Sequence, residues 1–125
     1  GYVLKKETGE FRLILIATGS ETELAVRASI ELEKDGIGTR VVSMPSWELF
    51  DQQSEEYRNE VLPKKVRARV AIEAATSMGW HKYTGIDGAI ISLDTFGGSA
   101  PGEQLFEKFG FTVENVVNES RKLLK

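Results

Sequence analysis

Apolar residues in this chain fall into short unbroken runs, separated by stretches in which they recur every three or four positions. The clearest run is Leu13–Ala17 (L-I-L-I-A), which shows no alternation. Such a run suits a strand covered on both faces, as in a parallel sheet flanked by helices. Thr18-Gly19 stops it and Ser20 opens a helix. Glu23, three residues on, completes a capping box in which each side chain satisfies an orphan backbone N–H. From Glu21 to about Lys34 the spacing is helical, with Leu24, Ala28 and Leu32 on one face and Ala25 and Val26 beside it. Gly36 and Gly38 end that helix. Strand, tight turn and capped helix make the first half of a βαβ unit.

The remaining pattern extends this unit in both directions. Gly1–Lys6 is a short strand candidate and Glu7–Glu10 a turn, so a hairpin with Leu13–Ala17 is the simplest connection. Thr39–Met44 is a strand stopped by Pro45, followed by a turn around Trp47–Phe50 and a helix from Ser54 to Leu62 that Pro63 ends. Arg67–Glu73 is a third buried-type strand whose charged start belongs at the rim of the sheet. Thr76–Tyr83 reads as a loop with a short helix, and Gly88–Leu93 as the last strand. Pro101–Phe109 is a helix with Gly110 just past its end. The final helix has Thr112 as N-cap, Phe111 and Val116 as a hydrophobic staple, and Val113, Val116, Val117, Ser120 and Leu124 as one stripe. Alternating strands and helices predict a single domain over residues 1–125, a three-layer α/β/α sandwich with a mostly parallel sheet. If the chain winds outward from Leu13–Ala17 in both directions, that strand is central. The winding then reverses at its C-terminal end, between Thr18–Glu21 and the loop after Glu73, where open α/β sheets bind ligands.

Composition narrows the function classes. At 41% hydrophobic and 28% charged, the 125-residue chain is globular in type. A formal charge of −3 and a pI near 5.3 argue against broad nucleic-acid binding, and no basic stripe with interleaved aromatics is present. The absence of cysteine excludes disulfides, thiol catalysis and cysteine-ligated metals, and fits a reducing cytoplasm. No apolar run reaches about 18 residues and no signal or transit peptide opens the chain, so the expectation is a cytoplasmic protein with no membrane partner.

Candidate chemistry gathers at the winding crevice: Gly19, Ser20, Glu21, Thr22, Glu73 and His81. The helix-start amides there suit an anion. The magnitudes, however, favour a plain turn and cap. A helix terminus contributes about 0.3–1 kcal/mol per charge, whereas millimolar affinity needs about 4 kcal/mol. Glu21 and Glu23 also occupy the positive end, no Walker lysine follows, and the glycines do not form G-x-G-x-x-G. His81, the only histidine, sits between Trp80 and Lys82 beyond a strand end, a place for a general base, but a surface or interface histidine within an aromatic packing segment is the favoured reading. One histidine builds no histidine-rich metal site, and neither H-E-x-x-H nor G-x-S-x-G occurs. Glu73 ends a strand as a metal carboxylate would, yet Thr18 and Met44 at the neighbouring strand ends offer no acidic partner. Gly85-Ile86-Asp87-Gly88 differs from a G-D-G diphosphate signature by an inserted residue and precedes its strand, so it reads as a turn.

A family resemblance runs through these same segments. A-T-G-S-E (17–21), V-V-S-M-P-S (41–46) with Phe50, Gln53 and Tyr57, and V-L-P-K (61–64) are similar to the C-terminal domain of transketolase. So are W-H-K-Y-T-G (80–85) with G-A-I (88–90), T-F-G-G-S-A-P (95–101), and L-F-E-K-F-G-F-T (105–112) with N-V-V (115–117). The resemblance is nearly collinear over the whole chain, and dihydroxyacetone synthase shares the domain type. It implies a mixed five-stranded sheet with an antiparallel first edge strand at Tyr2–Lys5. It also implies a parent enzyme that moves a two-carbon ketol unit between sugar phosphates. That parent would use thiamine diphosphate and a divalent cation, magnesium or calcium, as a homodimer. In the family the cofactor and metal residues lie in upstream domains of the same polypeptide. This chain therefore receives no catalytic, cofactor or metal residue, and it is expected to be inactive alone, serving structure and assembly. Two other classes remain: a stand-alone anion- or nucleotide-binding module using the Thr18–Glu21 crevice, and a pure assembly domain. The aromatic set Trp47, Phe50, Trp80, Tyr83 and Phe96 is the candidate partner-covered face for the latter.

Overall fold

A strand enclosed on every side lies at the centre of the structure, a computed structural model that describes residues 2–18, 21–44, 47–73, 81–85, 88–92 and 112–124. This is β2, Phe11–Ala17. Its neighbours are β3 (Gly38–Ser43) and β4 (Arg69–Glu73), both parallel to it. β1 (Tyr2–Lys5) pairs antiparallel on the outer side of β3, and β5 (Ala89–Ser92) runs parallel beside β4. The five-stranded order is β1-β3-β2-β4-β5. Leu13 to Ala17 have no exposed surface. Because side chains alternate along a strand, Leu13, Leu15 and Ala17 enter one core and Ile14 and Ile16 the other.

The first core is roofed by α1 (Glu21–Lys34) and α5 (Val113–Leu123). The buried face of α1 is Ala25, Ala28, Ser29 and Leu32, one position round from the expected stripe, with Leu24 and Val26 half-buried at its flanks. Gly36 ends the helix at φ 79°, with its own N–H bonded to the Glu33 carbonyl and that of Ile37 to Leu32. That is a Schellman motif, which glycine enters without strain. In α5, Thr112 is the N-cap, its hydroxyl accepting from the Asn115 N–H at 3.1 Å, and Val116, Val117 and Ser120 are buried. Ser20 and Phe111, invoked above for a capping box and a staple, lie outside the described residues, as does the 101–109 helix. The Glu23 carboxylate accepts from Arg27 one turn further on.

The second core is covered by short helices: α2 (Trp47–Asp51), α3 (Glu55–Val61, capped by Ser54) and α4 (His81–Thr84). The turn expected at Trp47–Phe50 is thus helical. Among the described residues α3 ends without a left-handed glycine, and two strand arginines take up its terminal carbonyls. Arg40 of β3 donates to Glu60 and Val61 at 2.7 and 3.2 Å, while Arg69 of β4 donates to Leu62 and Pro63 at 3.3 and 2.8 Å. Arg69 therefore turns to backbone carbonyls, while Arg67, just before the strand, is exposed as expected of a rim.

The expected hairpin between β1 and β2 does not form. Both edges of β2 are occupied by parallel partners, so β1 is displaced to the far side of β3. Two carboxylates hold it there. Glu33 of α1 accepts from Lys5 and from the Thr8 and Thr39 amides, and Glu7 makes a bidentate pair with Arg40 at 2.7 and 3.1 Å. Gly38 serves this crossing rather than the helix end. A Cβ there would come within 2.6 Å of the Glu10 carbonyl carbon, so only glycine lets the turn pass so close to the start of β3.

Two expectations follow. Thr112→Ala should cost about 0.5–2 kcal/mol, since one helix-start N–H loses its acceptor, and a denaturation midpoint equal to that of the parent chain would contradict the cap. The second concerns acid. Burial alone would raise both carboxyls. The Arg40 hydrogen bonds at Glu7, and the Lys5 ammonium and two amides at Glu33, outweigh it, so both sit below the ordinary value. A depressed carboxyl contributes stability above its unfolded pKa, about 4.3, and the contribution fades as pH falls through the folded value. A hydrogen bond to a charged group contributes about 1.5–3 kcal/mol, and this pair is only partly buried, so Glu7→Gln should be destabilised by about that much at pH 7. The gap to the parent chain should narrow below about pH 4.3; a gap constant from neutral to acid pH, measured in urea, would refute the assignment.

Candidate functional site

The register Ala17↔Ile72 sets the C-terminal ends of β2 and β4 side by side, so Thr18 and Glu73 leave the sheet as neighbours. From there the chain parts. α1 crosses back over the first core, whereas the segment after β4 leads to α4, whose Tyr83 belongs to the second. Adjacent parallel strands whose next described helices lie on opposite faces are the arrangement in which such a crevice is expected, and residues 19–20 and 74–80, which would wall it, lie outside the described part. Of the six residues assigned to it, Glu21 and Thr22 are the first two of α1. Glu21 is buried, with its N–H on the Thr18 carbonyl at 3.1 Å, while Thr22 is half-buried. Glu73 is the last residue of β4 and His81 the first of α4, and the side chains of both lie outside the described part. Gly19 and Ser20 lie outside it altogether. The first helical turn of α1 is acidic, carrying Glu21 and Glu23.

A second concavity, absent from the sequence reading, opens over the short-helix layer. It is a cleft of about 330 Å³ with Phe50, Leu62 and Tyr83 in its floor and Asp51, Arg58 and Arg69 among its polar lining. Phe50 and Tyr83 are each only 3% exposed and meet edge to face at 6.0 Å. These two rings are therefore core, which corrects the expectation of an exposed aromatic face; the side chain of Trp47, and Trp80 and Phe96, lie outside the described part. The Tyr83 hydroxyl donates to Asp51 at 3.2 Å. Burial, and then the Asp51 charge and hydrogen bond, push that phenol far up, so it is a fixed donor and not a base. Burial lowers the Arg69 pKa. Its guanidinium is committed to the carbonyls of Val66, Tyr83, Leu62 and Pro63. This wall binds protein backbone. The available signal was a charged residue opening an otherwise apolar strand, since a guanidinium that enters a core needs a ring of acceptors.

Among the described residues, no three His, Asp or Glu side chains gather into a metal site, and no helix is long and apolar enough to cross a membrane. Arg69 is committed to carbonyls, and no described carboxylate or histidine cluster is present to hold a divalent ion.

An α/β domain with a five-stranded mixed sheet and, among the described residues, no metal-ligating cluster is the class that fold and site define. Residues 1–112 match the family described as the transketolase-like TK C-terminal domain. The chain is 59% identical over 124 residues to Transketolase 2 of Vibrio parahaemolyticus and 57% identical to Transketolase 1 of Escherichia coli, covering 99% of itself and 19% of each relative. Among solved structures, transketolase from Leishmania mexicana superposes with a TM-score of 0.83 at 44% identity, over 94% of this chain and 17% of that one. A split-gene transketolase, described as an inactive beta4 tetramer, gives 0.66 at 26% identity, over 94% of this chain and 40% of that one. The chain belongs to the transketolase C-terminal domain family, and it spans about a fifth of the length of the curated relatives it matches.

Proposed function

We propose that this chain is the C-terminal assembly domain of a cytoplasmic transketolase. In this reading the parent enzyme moves a two-carbon ketol unit from a ketose phosphate to an aldose phosphate. Upstream domains of the same polypeptide hold thiamine diphosphate and a divalent cation, and the parent works as a homodimer. The observation that carries the reading is the mismatch of coverage. The match is nearly complete on this side and occupies 19% of the relative on the other, which leaves room for the catalytic machinery elsewhere. The names of the matched relatives favour transketolase over dihydroxyacetone synthase. The split-gene neighbour's inactive tetramer is consistent with a piece of the enzyme assembling without catalysing.

For the 125-residue chain itself the expected result is no ketol transfer and no specific thiamine diphosphate binding, whereas the full-length polypeptide that carries it should be active. Micromolar cofactor binding by the isolated chain in calorimetry would sink this assignment of roles.

The crevice of Gly19–Thr22, Glu73 and His81 is, in the same proposal, a product of the winding with at most weak anion affinity. The buried Glu21 and the neighbouring Glu23 occupy the helix end that an anion would need. Phosphate titrated by NMR should produce no saturation below about a millimolar, an affinity that already requires about 4 kcal/mol. Saturating shifts confined to Gly19–Thr22 and Ala74–His81 at lower concentration would instead favour the stand-alone binding module.

A further inference from the structure

Most large apolar side chains of the described residues are covered; of the four exposed ones, two lie on the edge strand β1, one on α1, whose Glu33 holds β1, and the fourth, Leu49, on α2. Tyr2 and Leu4 of β1 are 47% and 43% exposed, and Ile30 of α1 is 45% exposed. Tyr2 pairs with Ser43 and Lys5 with Val41, and Val41 belongs to the α1-covered core, so alternation places Tyr2 on that same face. The register shift between Val3 and Lys5 inserts Leu4 beside Lys5. On the helix, Ile30 lies one turn before Glu33, whose carboxylate reaches Lys5 and the Thr8 amide, so this flank of α1 looks toward β1. Lys5, next to Leu4 on β1, and Glu33, one turn after Ile30 on α1, form a neutralised pair rather than free charges.

A second copy adding a strand is opposed by β1 itself, which is four residues long, irregular and followed by Lys6, the devices that blunt sheet edges. The family places this domain last in a much longer chain, so the preceding polypeptide arrives at β1. We propose that the Tyr2–Leu4–Ile30 edge docks the segment directly upstream of this domain in the full-length enzyme, through apolar side-chain packing rather than an added strand. The proposal rests on the C-terminal-domain reading above. Tethering favours that occupant, because the segment is held at high effective concentration beside the patch.

Thiol labelling tests it. The chain has no cysteine, so Ile30→Cys introduces a single reactive group into the domain. Its maleimide labelling, read by peptide mapping, should be at least tenfold slower in the full-length polypeptide than in the 125-residue chain, and Leu4→Cys should respond in the same way. Equal rates for both variants in a full-length enzyme that still transfers ketol units would overturn the docking proposal while leaving the functional reading intact. Loss of ketol transfer from the unsubstituted full-length chain would strike the functional reading instead. Labelling that slows with concentration in the 125-residue chain would assign the patch to a second copy and also overturn the proposal.

Discussion

The enclosure of β2 is the constraint from which the rest follows. A strand with no exposed residue from Leu13 to Ala17 needs a partner on each edge and a layer on each face. Its edges go to β3 and β4 in parallel, which requires crossover connections, and those connections supply the two layers. Fully burying a leucine or isoleucine contributes about 1.5–3 kcal/mol, so four such side chains in succession make any arrangement that exposes one face expensive.

The two layers meet this demand by different physics. α1 and α5 are long enough to present a continuous apolar face, and their ends close with local devices, a Schellman glycine and a threonine cap. The opposite layer is built from helices of five, seven and four residues, below the length at which an isolated helix is stable. The ends of α3 and α4 are held from the sheet, by Arg40 of β3 and Arg69 of β4 on either side of β2 reaching to backbone carbonyls. Arg40 is anchored in turn by Glu7 and lies 4.3 Å over the Phe11 ring, so one guanidinium ties together β1's turn, β2, β3 and α3.

This division explains what could be read from residues alone. Unbroken apolar runs and helical spacing located the strands, α1 and α5 to within a residue or two, because those elements are specified locally. The pairing of β1 was not local. Nothing between Tyr2 and Ala17 reveals that both edges of the second strand are already taken, and the hairpin expectation failed for that reason. Arg40, in the middle of T-R-V-V-S-M, was the overlooked clue, since a charge in a buried strand demands a partner and Glu7 lies in the turn that has to bring it. The cleft by Tyr83 was invisible for a related reason. Its polar walls include backbone carbonyls from α3, α4 and the segment between α3 and β4, and no periodicity encodes where carbonyls converge.

Topology made the crevice legible as a place and left its chemistry to individual side chains. Winding both ways from β2 dictates that the segments after Ala17 and Glu73 part company, whatever residues occupy them. A ligand site requires more: an uncompensated positive helix end, or donors left without backbone partners. Here the first turn of α1 carries two glutamates, and the most deeply placed guanidinium of the second cleft is saturated by four carbonyls. Arg40 and Arg69 are used to hold elements in register, and the exposed large apolar side chains of the described residues are Tyr2 and Leu4 on β1, Ile30 on α1 and Leu49 on α2.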